Sequence, residues 1–135
     1  MVIKAKKKLG AKEGDHITLI NIMIRYEHIR NVADQKKFCS EHGISFKSIE
    51  NARRIHEHLK RFMKQHKLKI KTSDDDAEII LKCLATGFFD HVAQKQPDGS
   101  YRGIRAKDPL HLHPQSVLNA VFPNWVIYHE VLIRD

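Results

Sequence analysis

The sequence predicts an α+β fold in which helices come first and antiparallel strands follow. Between residues 15 and about 86, apolar residues recur every three or four positions, which is the spacing of amphipathic helices. After Gln96 the period shortens and turn residues appear, as in Pro97-Asp98-Gly99. Helices grouped before strands are typical of α+β proteins rather than of parallel α/β sheets. We therefore expect a helical domain at residues 1–86 and a β domain at residues 87–135.

The first two helices are predicted from carboxylates that can cap them and from apolar residues at helical spacing. Asp15 is expected to cap the first helix and Asp34 the second, and Gly43 is expected to end the second. The expected inward positions are Ile20, Met23 and Ile24 in the first helix and Phe38 and Cys39 in the second.

The third helix is predicted from about Ser48 to about His66 and is the most clearly amphipathic. Its apolar stripe consists of Ile49, Ala52, Ile55, Leu59, Phe62 and Met63. Its cations project from the other side and are Arg53, Arg54, Lys60, Arg61 and Lys64. A fourth helix is expected to begin after a capping carboxylate at positions 74–76, and Gly87 is expected to bend or end it.

Short strands are predicted in the last third of the chain from alternating apolar residues between turns. They are expected around Tyr101 and Ile104, around Leu110 and Leu112, and around Val126 and Tyr128. Pro114 can end a strand, and Trp125 is expected to fill a core. The side chains predicted to serve the framework are His113, Ser116, Trp125 and Tyr128.

The positive charge is concentrated in one segment. The chain carries a net charge of +8, and residues 47–71 hold nine cations against two anions, a net charge of +7. A concentrated positive field attracts phosphate backbones without sequence preference. A solvated helix face explains the same pattern, so the charge alone leaves both interpretations open.

The sequence shows no motif for catalysis, for a bound nucleotide or for a metal. No glycine-rich loop with Lys and Ser or Thr is present, and no arrangement marks a nucleophile. His111 and His113 alternate on a predicted strand but lack further ligands, and Cys39 with His42 lacks a second pair. We therefore expect this chain by itself to be non-catalytic, without a cofactor or metal of its own.

The setting is predicted to be intracellular and reducing, either nuclear or cytoplasmic. Cys39 and Cys83 are the only cysteines, and both lie within helical patterns. No apolar run approaches the length needed to cross a bilayer, so no membrane partner is expected. The lysine-rich start at residues 1–13 has no apolar stretch behind it and does not resemble a signal peptide.

A series of short segments carries a family resemblance through its order and spacing. The segments are Gly14-Asp15-His16-Ile17-Thr18-Leu19-Ile20, Phe38-Cys39, Lys47-Ser48-Ile49, Thr86-Gly87-Phe88-Phe89, Gly99-Ser100-Tyr101-Arg102, His113-Pro114-Gln115-Ser116-Val117-Leu118 and Trp125-Val126-Ile127-Tyr128-His129-Glu130. Together they resemble the C-terminal region of DEAH-box RNA helicases. Two positions depart from the family pattern: Phe38 stands where a Trp is usual, and His56 where an Arg is common.

The resemblance implies a helical ratchet bundle followed by a partial, OB-like (oligonucleotide-binding) antiparallel β region. Relatives continue beyond Arg134-Asp135 into a further strand and helix, so the OB part is expected to be truncated. The parent protein would be an ATP-dependent RNA helicase of the pre-mRNA splicing or ribosome biogenesis type. ATP and Mg²⁺ would bind in its RecA-like motor domains.

In that family context this chain would be a platform that guides single-stranded RNA during ATP-driven unwinding. Its expected partners are single-stranded RNA, the RecA-like motor domains of the parent and a helicase-activating protein. The cations expected to face RNA are Arg53, Lys60, Lys64, Arg102 and Arg105. The alternative is a free-standing RNA-binding or adaptor module that begins at Met1 and is never coupled to ATP.

Overall fold

The chain forms two compact units that divide between Thr72 and Ser73. The computed structural model describes residues 9–133, so most of the lysine-rich start and the Arg134-Asp135 end lie outside the described residues. The structural division falls before α4 (Ala77–Gly87) rather than after it. The assignment of domains to residues 1–86 and 87–135 stays a prediction.

Helices precede an antiparallel sheet, which confirms the predicted α+β fold class. The first unit contains α1 (Asp15–Glu27), α2 (Val32–His42) and α3 (Phe46–Gln65). The second unit contains α4 (Ala77–Gly87), β1 (Val92–Lys95), β2 (Tyr101–Gly103), a 3₁₀ turn (Val117–Ala120) and β3 (Trp125–Ile127). No helix within residues 9–133 is both long and apolar enough to cross a membrane.

Helix α1 begins at a glycine and a buried threonine, not at a carboxylate cap. Gly14 is the N-cap residue, with φ of 121°, and as a glycine it has no side chain to make a capping hydrogen bond. Thr18 is fully buried, and its hydroxyl donates to the Gly14 carbonyl and accepts from the Ala11 N–H, both at 2.9 Å. The predicted cap Asp15 is therefore wrong, since Asp15 is the first helical residue. A positive φ at position 14 explains why glycine stands there.

Side chains cap the starts of α2 and α4, and a glycine ends α2. Asn31 caps α2 by accepting from the Ala33 N–H at 2.8 Å, so the prediction of Asp34 is wrong. Gly43 ends α2 with φ of 66°, as predicted. Of the three consecutive carboxylates, Asp76 caps α4 by accepting from the N–H groups of Glu78 and Ile79, at 2.9 and 3.3 Å.

The core of the first unit lies where the beginning of α3 meets α1 and α2. Its buried residues are Leu9, Ile22, Tyr26, Cys39 and Ile49, with Met23, Phe38, Ile44 and Phe46 packed around them. The inward prediction is confirmed for Phe38 and Cys39 and wrong for Ile24, which is exposed. Apolar residues lie on more than one side of α1, so periodicity alone did not determine which side faces the core.

Most of the apolar stripe predicted on α3 is exposed. Ile49 is buried, whereas Ile55, Leu59 and Phe62 are 52%, 53% and 49% exposed. The reason is length: α3 has 20 residues, whereas α2 has 11. At 1.5 Å per residue α3 is therefore about 30 Å long and extends well past its neighbour.

The second unit is built on a three-stranded antiparallel sheet in the order β2-β1-β3. Ala93, Tyr101 and Val126 form its buried centre, with Leu110, Leu112, Leu118 and Tyr128 packed around them. The predicted strand at Leu110 and Leu112 is wrong, because Leu110 forms only an isolated bridge to Tyr101. Strand β2 has only three residues, so its outer edge can pair with another segment over three residues at most.

The framework role predicted for four C-terminal side chains holds for three and fails for Trp125. Tyr128 packs against the sheet core, Ser116 caps the 3₁₀ turn, and the His113 ring accepts from the Gln115 N–H. Trp125 is 57% exposed and fills no core. Alternation along β3 places Val126 inward, so its neighbour Trp125 points to the opposite face of the sheet.

Candidate nucleic-acid interface

Three of the five predicted RNA-facing cations lie along one side of α3. Arg53, Lys60 and Lys64 are separated by seven and four residues, which brings them to neighbouring positions around a helix. Helix α3 is amphipathic as predicted: by helical spacing Arg54 and Arg61 lie opposite its apolar stripe, and Arg53, Lys60 and Lys64 flank the stripe beside Ile49. The structure therefore brings together the part of the predicted site that belongs to the first unit.

Arg53 is already held by the protein. Its Nε and Nη2 donate to the two carboxylate oxygens of Glu50, each at 3.0 Å. Glu50 Oε1 also accepts from the Tyr26 hydroxyl at 2.7 Å, and Tyr26 is fully buried. This three-residue cluster fixes the base of α3 to α1, so Arg53 has a structural task in addition to any contact with RNA.

The cluster shifts the acidity of its members. The hydrogen bonds from Arg53 and from Tyr26 lower the pKa of Glu50 to about 2. Burial and the hydrogen bond to Glu50 raise the pKa of Tyr26. The hydrogen bond and charge of Glu50 likewise raise the pKa of Arg53. Glu50 therefore stays ionised and Arg53 stays charged at neutral pH.

The cations further along α3 are more available. Lys60 makes a long contact of 3.4 Å to the exposed Glu57, a kind of surface pair that contributes little. Arg54, Arg61 and Lys64 form no ion pair with any residue of the described part of the chain. The part of α3 beyond Arg53 thus presents unpaired positive charge, the feature that attracts a phosphate backbone.

The two predicted cations of the second unit have different surroundings. Arg102 lies in the middle of β2, points away from the sheet core and makes no ion pair within residues 9–133. Arg105 contacts Asp90 at 3.1 Å and lies 6.0 Å from the centre of the Phe89 ring. Arg105 is therefore partly neutralised by its own unit, whereas Arg102 is not.

A shallow hollow of about 420 Å³ lies beside Arg102 at the β1–β2 turn. Lys107 adds a second cation to its lining, and Asp98 and Asp108 add carboxylates. Asp98 is engaged in the turn, where it accepts from the Ser100 N–H and hydroxyl at 2.9 and 2.7 Å. These hydrogen bonds lower the pKa of Asp98. The lining of the hollow thus carries charges of both signs, and residues of the turn form part of it.

One exposed row that runs across all three strands was not predicted from the sequence. Gln94 of β1 is the register partner of Arg102 on β2 and of Trp125 on β3. All three side chains are exposed. The signal was present as strand alternation around Val126, but Trp125 was assigned to a core because large aromatic residues are usually buried.

The described residues hold no group of three His, Cys, Asp or Glu side chains placed to bind a metal ion. His111 is exposed, and His113 is engaged with the backbone of the following turn.

The class of protein to which the second unit belongs follows from a match to a known family. A family model for the oligonucleotide/oligosaccharide-binding (OB) fold matches residues 80–134. This range contains the whole three-stranded sheet and most of α4. The second unit is therefore an OB-fold region, as predicted.

Individual relatives then specify the family. The chain is 37% identical over 131 residues to a human protein named probable ATP-dependent RNA helicase DHX35, a match that covers 96% of this chain and 18% of that protein. The Pongo abelii protein of the same name is 36% identical over the same shares. The human ATP-dependent RNA helicase DHX33 is 33% identical over 130 residues, again 96% and 18%.

The chain is therefore homologous to the C-terminal region of DEAH-box RNA helicases, including its OB-fold part, which confirms the resemblance carried by its motifs. It spans only 18% of the length of these relatives. Activities that need the remaining four fifths of such a protein stay proposals for this chain.

Proposed function

We propose that this chain is the RNA-binding platform of a DEAH-box ATP-dependent RNA helicase. It guides single-stranded RNA while motor domains elsewhere in the parent protein hydrolyse ATP and draw the strand along. The observation that carries the proposal is the unpaired positive charge of Arg54, Arg61 and Lys64 on α3 in a chain homologous to this family. The OB-fold region in the second unit supports it, because OB folds bind oligonucleotides.

The cellular process of the proposed parent is RNA remodelling of the splicing or ribosome biogenesis type, in the nucleus or the cytoplasm. ATP and Mg²⁺ belong to its RecA-like motor domains, and a helicase-activating protein is a further partner. These assignments rest on the family alone.

The contribution of this chain to the mechanism is electrostatic. Cations on a rigid helix bind phosphates irrespective of base identity, which suits a protein that must release and rebind the strand at every step. Arg53 contributes indirectly, because its hydrogen bonds to Glu50 hold the base of α3 in place. Lys60 and Lys64 then lie on the accessible part of the same side.

The test is the affinity of the chain for a short, fluorescently labelled single-stranded RNA, measured by anisotropy. The Lys60→Gln/Lys64→Gln double variant is expected to bind several-fold more weakly than the unaltered chain, because two phosphate contacts are lost. Arg53 stays unchanged in this variant, since its loss would disturb the packing of α3 against α1.

A matched control removes the same amount of charge elsewhere. Lys12→Gln/Lys37→Gln neutralises two exposed cations outside α3 and is expected to bind nearly as well as the unaltered chain. Equal loss in both double variants would show that net charge alone attracts RNA and that the side of α3 with Lys60 and Lys64 is no binding face. Circular dichroism confirms that each variant keeps its helices.

A further inference from the structure

The outward face of the sheet carries an ordered row of three different side chains. Antiparallel register places Gln94 directly between Arg102 and Trp125, so the row runs Arg102, Gln94, Trp125 across β2, β1 and β3. Neighbouring strands are about 4.8 Å apart, so the two ends of the row are separated by about 10 Å. An aromatic ring, an amide and a guanidinium therefore lie side by side within reach of a single ligand.

Among residues 9–133, none of these three side chains makes a polar contact that serves the fold. Trp125 is 57% exposed, and no hydrogen bond of its ring nitrogen or of the Gln94 amide is found among residues 9–133. Arg102 makes no ion pair with the described residues. Exposing a large aromatic side chain forfeits the stabilisation that its burial would give the unit.

The surroundings of the row favour an anion. The other outward positions of the sheet, Val92 and Ile127, are register partners and apolar. No carboxylate occupies an outward position of the three strands, so Arg102 is the one formal charge of this face among the described strand residues. A ligand with a flat apolar part and a negative part matches both features.

We propose that the row Arg102, Gln94 and Trp125 is a stacking site for a nucleotide of single-stranded RNA. A base stacks on the Trp125 ring, the Gln94 amide hydrogen-bonds to the base edge or sugar, and the Arg102 guanidinium contacts a neighbouring phosphate. This inference rests on the proposed function and adds a base-contacting site to the phosphate contacts of α3. It also reassigns Trp125 from framework to ligand binding.

The fold holds the row in register through its turn. The carboxylate of Asp98 accepts two hydrogen bonds from Ser100, and Gly99 adopts φ of 84°, which closes the β1–β2 turn. Gly103 then lies so close to its neighbours that an added Cβ would come within 2.9 Å of the Ala106 Cβ. A one-residue slip would turn Arg102 to the buried face, so this turn positions the site.

The single tryptophan of the chain makes the site directly observable. Titration of the full chain with unlabelled single-stranded RNA is expected to quench the emission of Trp125 in a saturable way, because a stacked base contacts the ring. An RNA of equal length that carries abasic positions is expected to bind through its phosphates with little quenching. The comparison separates base stacking from charge.

Affinity measured by anisotropy of a labelled RNA supplies the second readout. Trp125→Leu is expected to weaken binding about 5- to 150-fold, the range for one stacked base, whereas Trp125→Phe keeps an aromatic face and most of the affinity. Arg102→Gln is expected to weaken binding and flatten its salt dependence. Phe122→Leu, which alters an exposed aromatic residue outside the strands, is the matched control and leaves affinity unchanged.

The outcomes separate this inference from the proposed function. RNA that binds without quenching, and equally well to Trp125→Leu, would overturn the stacking site and leave the platform proposal standing. Failure of the unaltered chain to bind RNA at low salt would overturn both. Quenching by a neutral oligosaccharide as strong as that by RNA would assign the row to sugar binding and overturn the nucleotide site.

Discussion

Glu50 illustrates how one side chain can set the limits of a functional surface. It accepts from the buried Tyr26 hydroxyl and from both donor nitrogens of Arg53 that face it. Arg53, which the sequence places on a basic helix face, therefore belongs to the hydrogen-bonded cluster that joins α3 to α1. The cations of α3 beyond Arg53 that form no ion pair with the described residues are Arg54, Arg61 and Lys64.

The lowered pKa of Glu50 predicts how this cluster responds to acid. Because the folded pKa is about 2 and the ordinary value is about 4.3, ionised Glu50 stabilises the fold fully above the ordinary value. That contribution is lost progressively as pH falls from about 4.3 towards 2. A titration of the Glu50 carboxyl carbon by NMR is expected to give a midpoint near 2.

Two variants check the cause of this shift. Tyr26→Phe and Arg53→Gln each remove a hydrogen bond to the carboxylate and are expected to raise the pKa of Glu50. Glu57→Gln, a change on the same helix that removes only the surface contact to Lys60, is expected to leave the midpoint nearly unchanged. A midpoint near the ordinary value in the unaltered chain would contradict the cluster.

A well-capped helix is not necessarily a buried one, as α3 and α4 show. Helix α4 has a specified start at Asp76 and an end at Gly87, yet it has no fully buried residue. Helix α3 is well capped by Ser45, and its apolar stripe is nevertheless exposed beyond the first turns. Local signals determine where a helix begins, whereas its burial depends on what lies beside it.

Asp76 gives the prediction at this scale. Asp76→Ala removes the acceptor of two backbone N–H groups and is expected to lower the free energy of unfolding of the second unit by about 0.5–2 kcal/mol. Asp76→Asn keeps the capping oxygen and is expected to cost far less, although it removes the same charge. Urea unfolding followed by circular dichroism and by Trp125 emission measures both, and equal losses would show that charge rather than the cap matters.

At the scale of the whole molecule, a net charge of +8 makes RNA binding sensitive to salt. A plot of log affinity against log salt concentration is expected to be linear with a negative slope, because bound phosphates release counterions. For single strands each contact contributes about −0.7 to the slope, so Lys60→Gln/Lys64→Gln is expected to reduce its magnitude by about 1.4. A slope near zero for the unaltered chain would contradict phosphate binding.

The sequence by itself determined the order of the elements, the residues that end several helices and the concentration of charge. Gly43 and Asp76 act through backbone conformation or hydrogen bonds within a few residues, and such local effects are readable from sequence. The motifs were equally readable, because their order along the chain does not depend on packing.

Only the tertiary structure decided which face of each element is covered. Periodicity places Ile49 and Leu59 on one side of α3. A side chain is buried only where another segment of the chain packs against it, and of these two residues only Ile49 is covered in this way. The same reason applies to Trp125, which alternation sets opposite Val126 without stating which of the two faces the core. The Arg53–Glu50 spacing was visible in the sequence, whereas the Tyr26 hydroxyl that completes the cluster comes from a different helix, 24 residues away from Glu50.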